Sequence, residues 1–294
     1  MVSLDRHERI ELDLGGWKVS DEFVGDYLRA VGDGLPTYFR HRLVPPVALA
    51  ARALGSLLEK LELPPGAIHS LQEIETIEPV PFGEEITGTA IVGPTKRRGG
   101  MEFITVGLTL KNREGCSTLG SKSTVIVVDQ SSVPLLPGGG RADGECDRPS
   151  AEARRGDDGD AEAMALPTVV RTITQERLDA YAKVSGDRNP LHLDAGFAAT
   201  TMFGGIIAHG MLTLAFISVM MAVVFDKAWL ETGGLRVRFK GAAYLGDRVE
   251  TRGRVAKEEP APTGRRLSCN VAAHNSDHWQ ELISGTATVV LEKA

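Results

Sequence analysis

Few residues in this chain of 294 have the types and spacing that acid–base chemistry needs. Ser185-Gly186-Asp187-Arg188-Asn189-Pro190-Leu191-His192 sets a carboxylate and an imidazole five residues apart, on a stretch that Gly186 and Pro190 bend sharply. Such a pair suits proton transfer, because one group can take a proton from water while the other exchanges one with a neighbouring carbon. The same spacing also fits an ordinary surface loop. Asn189 can orient a substrate or simply open the turn. Seventeen residues beyond His192 stands His209-Gly210, at the start of a strongly apolar segment. Read as a helix start, it offers an N–H with no intrahelical partner at the positive end of the helix dipole, so Gly210 could hold an oxyanion. Gly210 could equally serve a close approach of chain to chain, and His209 is expected to satisfy a local backbone carbonyl.

Other chemistries lose support. There is no GxGxxG after a strand, GxxxxGK[ST], GxSxG, HExxH or paired-cysteine spacing, so neither a cofactor nor a metal is expected. The formal net charge of −6 lacks the basic balance of a nucleic-acid binder. Three scattered cysteines point to a reducing compartment, taken as cytoplasmic. The N-terminal segment carries charges every few residues and does not read as a secretory signal. Met211 to Phe225, as a helix, spans roughly 22 Å against about 30 Å of bilayer hydrocarbon, and reads as a core helix with no membrane role. Lys96-Arg97-Arg98 and Arg265-Arg266 are expected in turns, and with Arg236, Arg238 and Lys240 they read as solvated surface.

The elements that position the pair come in two copies. Residues 137–165 are rich in glycine and charge and read as a flexible linker between 1–136 and 166–294. Val19 to Pro36 lies over Ile173 to Pro190 at a constant offset of 154, and Pro81-Phe82-Gly83-Glu84 over Tyr244-Leu245-Gly246-Asp247 at 163. About nine extra residues therefore enter the second half after Pro190. Each copy begins as a short helix with an N-cap (Ser20, Thr174), a hydrophobic staple (Val19/Val24, Ile173/Leu178) and a terminating glycine (Gly32, Gly186). A longer apolar helix follows, from Pro46 and from Gly210, and then β-branched segments that read as an antiparallel meander. Each half is thus predicted as an α+β unit, an antiparallel sheet covering a long apolar helix. At the position of His192 the first half has Tyr38, so only the second half offers both groups.

Tyr181-x-x-x-Ser185-Gly186-Asp187-x-Asn189-Pro190-Leu191-His192-x-Asp194, followed by Ile207-Ala208-His209-Gly210-Met211, resembles the MaoC-like, R-specific enoyl-CoA hydratase (hydratase 2) signature over about 35 residues. The resemblance implies a double hotdog, with a catalytic second half and a degenerate first half in which Asp33 remains but Tyr38 and Pro45-Pro46 replace the other groups. It implies Asp187 and His192 as the catalytic pair, and Asn189 and the Gly210 N–H as substrate-binding groups. The reaction implied is reversible hydration of a trans-2-enoyl thioester of CoA or of acyl carrier protein. The degenerate half would make room for a longer acyl chain or be purely structural. A homodimer is expected, since sheet edges tend to be covered. Two alternatives stay open, a hotdog thioesterase and a non-catalytic acyl-thioester-binding subunit.

Overall fold

A computed structural model describes residues 9–61, 67–98, 101–128 and 164–293. The expected linker lies outside them except for its last two residues. Met164 and Ala165 are ordered against the sheet, where the Val255 N–H donates to Met164 O at 3.0 Å and Ala165 pairs with Arg254.

Each half opens with a strand that the sequence reading did not anticipate: β1 (Ile10–Lys18) in the first and β7 (Val170–Thr172) in the second. The alternation of β1 is broken by a bulge between Asp13 and Gly15, with Gly15 at φ 80°, and β7 is only three residues long. The short helices follow as expected, α1 (Asp21–Val31) and α4 (Gln175–Ser185). Ser20 Oγ accepts from the Phe23 N–H at 3.1 Å and Thr174 Oγ1 from the Arg177 N–H at 3.2 Å, while Gly32 and Gly186 close the helices in the left-handed region. The staple residues Val19, Val24, Ile173 and Leu178 are all fully buried.

The first half continues through α2 (Thr37–His41) and α3 (Pro46–Leu58), then β2 (Ala67–Thr76), β3 (Glu85–Val92), β4 (Lys96–Arg98), β5 (Met101–Lys111) and β6 (Ser117–Val128). The second has α5 (Ala195–Ala199) and α6 (Gly210–Thr232), then β8 (Gly234–Phe239), β9 (Arg248–Ala261), β10 (Gly264–Asn275) and β11 (Glu281–Glu292). The two basic clusters expected in turns are in strands: Lys96–Arg98 is β4, paired with β5, and Arg265-Arg266 opens β10. All five of these residues are exposed, so strand pairing accommodates the charges without burying them.

All the described strands form one antiparallel sheet, in the order β1-β3-β5-β6-β2-β8-β11-β10-β9-β7, with β4 beside β5. Read from its ends, the order repeats. β1-β3-β5-β6-β2 in one half matches β7-β9-β10-β11-β8 in the other, and β2 pairs with β8 at the pseudo-twofold centre. The antiparallel sheets expected in the two halves are joined edge to edge through β2 and β8 into one continuous sheet. Corresponding hydrogen bonds fix the register of the repeat. The Val19 and Ile173 N–H groups donate to Glu84 O and Asp247 O at 2.9 and 2.8 Å, and Val44 and Ala208 donate to Val80 O and Ala243 O at 2.9 and 2.8 Å. The second pair of donors differs by 164 in number and the first by 154, so ten residues enter before Ala208 and one is lost afterwards, leaving the net nine. Pro46 and Gly210 therefore occupy equivalent helix starts.

Helix α3 packs on β1, β2, β5 and β6, α6 packs on β9, β10, β11 and β2, and the two helices touch each other. Every residue from Met211 to Ala222 is buried, as a helix apolar on all sides requires. The helix is longer than its apolar stretch suggested, 23 residues with a mean hydropathy of 1.8 over its most apolar 18, which is long and apolar enough to cross a bilayer. Its burial against the sheet marks it instead as the core helix. It also breaks where the apolar run ends, at Asp226 (φ 45°, ψ −124°). There the carboxylate is held by Thr37 Oγ1 and by His41 Nε2 at 3.3 Å, both from α2 of the other half.

Candidate active site

The left-handed cap at Gly186 turns the chain out of α4 directly into Asp187. Asp187 Oδ1 accepts from the Asn189 N–H at 3.2 Å, and Asn189 Oδ1 from the Leu191 N–H at 3.0 Å, opening a single 3-10 turn, Pro190–His192. Asn189 thus serves the turn with its side-chain oxygen while its residue also borders the cavity described below. The turn delivers His192 into the interior, where it is 8 % exposed. Its Nδ1–H donates to Ile207 O at 2.8 Å, because a carbonyl can only accept, and this fixes the tautomer with the lone pair on Nε2.

His209, expected to satisfy a backbone carbonyl, donates from Nε2 to Asp187 O at 3.0 Å. Its ring lies against that of His192, with centroids 3.9 Å apart. One side-chain ligand atom each from Asp187, His192 and His209 falls within 4.8 Å of the others. The carboxylate and imidazole foreseen in the sequence are therefore neighbours in space.

Both groups sit in a cavity of about 320 Å³ that Gly210 and Asn189 also border, so all four candidate residues are brought together. Gly210 is the first residue of α6, and its N–H has no intrahelical acceptor. A side chain there is opposed sterically, since a Cβ would meet the Phe239 ring at 3.1 Å. Both earlier readings of Gly210, free donor and close approach, thus apply.

Burial pushes the Asp187 carboxyl above its ordinary value, with the neighbouring His192 and the Asn189 N–H acting the other way. Burial pulls His192 below its ordinary value, against the influence of Asp187 and of Ile207 O. The two groups are moved toward each other, which suits a pair that exchanges protons between them. His209 is pulled well down by burial and by His192, and stays neutral.

The first half supplies what a reading of local spacing could not find. Leu54, Leu58, Ala67, Ile68 and Val125 line the wall facing the pair. Gly55 of α3 lies so near the end of α4 that a Cβ would stand 2.0 Å from Ser185 O. Backbone thus meets backbone directly behind Asp187.

Two helix-covered halves in one antiparallel sheet define a double hotdog, with the Asp/His loop beside a core-helix start. Residues 161–280 match the family described as MaoC like domain. The chain is 29 % identical over 134 residues to a 3-hydroxybutyryl-CoA dehydratase of Methylorubrum extorquens, covering 46 % of this chain and 83 % of that protein. It is also 29 % identical over 126 residues to an (R)-specific enoyl-CoA hydratase of Rhodospirillum rubrum, covering 42 % and 83 %. Among solved structures, a MaoC-like dehydratase superposes with a TM-score of 0.76 at 20 % identity over 99 % of both chains. A double-hotdog protein of Mycobacterium tuberculosis superposes with 0.66 at 11 % identity over 98 % and 96 %.

Proposed function

We propose that the protein is a hydro-lyase that adds water reversibly to a trans-2-enoyl-CoA thioester, giving the (R)-3-hydroxyacyl thioester. The observation that carries this reading is the meeting of Asp187, His192 and the Gly210 helix start in one cavity. One water held between the Asp187 carboxylate and His192 Nε2 supplies its oxygen to Cβ. The pair takes a proton from that water and returns one to Cα, so a single water provides both added groups. Between these events the thioester oxygen carries negative charge. The Gly210 N–H, at the positive end of α6, is placed to bind it. Ile207 O and His209 hold the imidazole and the Asp187 backbone in register.

The apolar wall contributed by the first half supports an acyl chain longer than four carbons. The sheet ends in β1 and β7, each paired along one edge, and a second copy of the chain there would give a homodimer. The test of the activity is loss of enoyl absorbance on mixing with trans-2-enoyl-CoAs of rising chain length and with the corresponding acyl-carrier-protein thioesters. Rapid loss supports the reading, and turnover confined to the four-carbon chain removes the role given to the first half. Release of free thiol without hydration indicates the thioesterase, and binding without any reaction indicates the acyl-thioester-binding subunit.

A further inference from the structure

Hydration by the groups described above asks nothing of His69 or Phe239, yet both border the cavity together with Gly210. On β8 the inward Leu235, Val237 and Phe239 alternate with the exposed Arg236 and Arg238, so the period that puts the cations in water turns Phe239 toward the start of α6. His69 comes from β2 of the first half, beside the end of the β2–β8 ladder, whose last pair is Leu71 and Arg238. The two rings meet there, with centroids 4.5 Å apart and 37° between their planes. The Phe239 ring also stands 3.1–3.5 Å from the place of a Cβ at Gly210. The Gly210 N–H branches from the same Cα, so an apolar ring supported from the other half flanks this donor. Burial pulls His69 down to about 4, against the Leu71 backbone and the Gln72 side chain, and its ring is neutral at neutral pH. Its Nε2 is buried with no hydrogen-bond partner among the described residues, so packing on Phe239, and not a bond from that nitrogen, joins the halves at this point.

We propose that Phe239, held in place by His69 of the first half, is a positioning residue that screens the Gly210 N–H from water, so that this donor meets the thioester oxygen in dry surroundings. The kinetic consequence rests on the function proposed above, whereas the screening itself does not. A hydrogen bond to developing negative charge is strongest where water cannot compete, because the local dielectric is low and no solvent has to reorganise. Charge develops on the thioester oxygen only as Cβ is attacked, so the screen acts on kcat more than on KM. A side chain that merely lined the acyl chain would bind substrate and transition state alike and would move KM. The first half has no counterpart of this arrangement, because Pro46 stands at the helix start there and has no N–H to screen.

The test uses the full chain and two readouts, the kinetics of trans-2-enoyl-CoA hydration and the exchange rate of the Gly210 amide hydrogen by NMR in the free protein. Both are measured for the wild type, Phe239→Ala, Phe239→Leu, His69→Ala and His69→Phe, with folding checked by circular dichroism and thermal melting. Phe239→Ala should lower kcat by about tenfold with KM changed by less than about threefold, and should speed Gly210 exchange by at least about tenfold. His69→Ala should move both readouts the same way, because Phe239 loses its support. His69→Phe restores an aromatic pair and should bring both back to within about threefold of the wild type. Phe239→Leu should fall between the wild type and Phe239→Ala, and it carries the test if Phe239→Ala does not fold. A rise in KM alone, or unaltered Gly210 exchange in a folded Phe239 variant, overturns the inference. So does His69→Phe as impaired as His69→Ala, which would give the role to the histidine nitrogen. Hydration with normal kcat in folded Phe239 variants defeats this inference alone. Absence of hydration in the wild type defeats the proposed function, and the amide exchange then decides the screening by itself.

Discussion

The Asp33–Tyr38 region of the first half and the Asp187–His192 region of the second have the same local construction and opposite chemical consequences. Both follow a capped helix closed by a left-handed glycine, and both place a carboxylate at the same step after it. In the first half Tyr38 donates directly to Asp33 Oδ2 at 2.6 Å, with both side chains buried, so the carboxylate is already satisfied by protein. In the second half the imidazole donates away from the carboxylate, to Ile207 O, and keeps its Nε2 lone pair. The helix starts differ in the same sense. Pro46 has no N–H to offer an oxyanion, whereas Gly210 has a free one. On the function proposed above, the first half lacks both base and oxyanion donor, and what it contributes is the wall of the cavity and the support behind Asp187. A repeated fold can divide labour in this way because the scaffold depends on caps, staples and sheet register, and none of these involves the reacting groups.

This contrast can be broken at several points. His192→Gln removes the base while retaining a polar side chain of similar size, and enoyl-CoA turnover should fall by more than about a hundredfold with the fold intact by circular dichroism. Gly210→Pro copies the first half into the second. Proline is tolerated at a first helical position, and loss of the N–H should lower turnover by about two to three orders of magnitude. Gly210→Ala keeps the N–H but also meets Phe239, so the difference between these variants measures the donor alone. Gly55→Ala tests the support from the first half. The added Cβ has to displace Ser185 O, and a shift of the Asp187 loop of this kind should cost up to about a hundredfold in turnover without touching the reacting groups. Tyr38→Phe should have the smallest effect. It leaves the buried Asp33 carboxyl short of a donor and should cost about 1–3 kcal/mol of stability in urea unfolding, with turnover unchanged.

Much of this was legible in the residues because the signals were local. Ser20, Thr174, Gly32 and Gly186 mark helix ends by their own chemistry, and the five-residue step from Asp187 to His192 survives folding as a single bent loop. The contacts that complete the site are not local. Ile207 O meets His192 across the inserted segment, and Gly55 and the wall residues come from the other half of the chain, so no spacing rule connects them to Asp187. Strand β1 was missed because the bulge at Gly15 interrupts its alternation, and β7 because three residues carry too little pattern. The length of α6 was missed because the helix resumes after the break at Asp226, which hydrophobicity cannot foresee.

The central claim is that one half reacts and the other supports. The measurement that tests it most directly is the initial rate of trans-2-enoyl-CoA hydration, by loss of enoyl absorbance, for the wild type, Asp187→Asn and its mirror Asp33→Asn. A large loss in Asp187→Asn with wild-type turnover in Asp33→Asn is the predicted result. Equal loss in both variants, or full activity in Asp187→Asn, would contradict it.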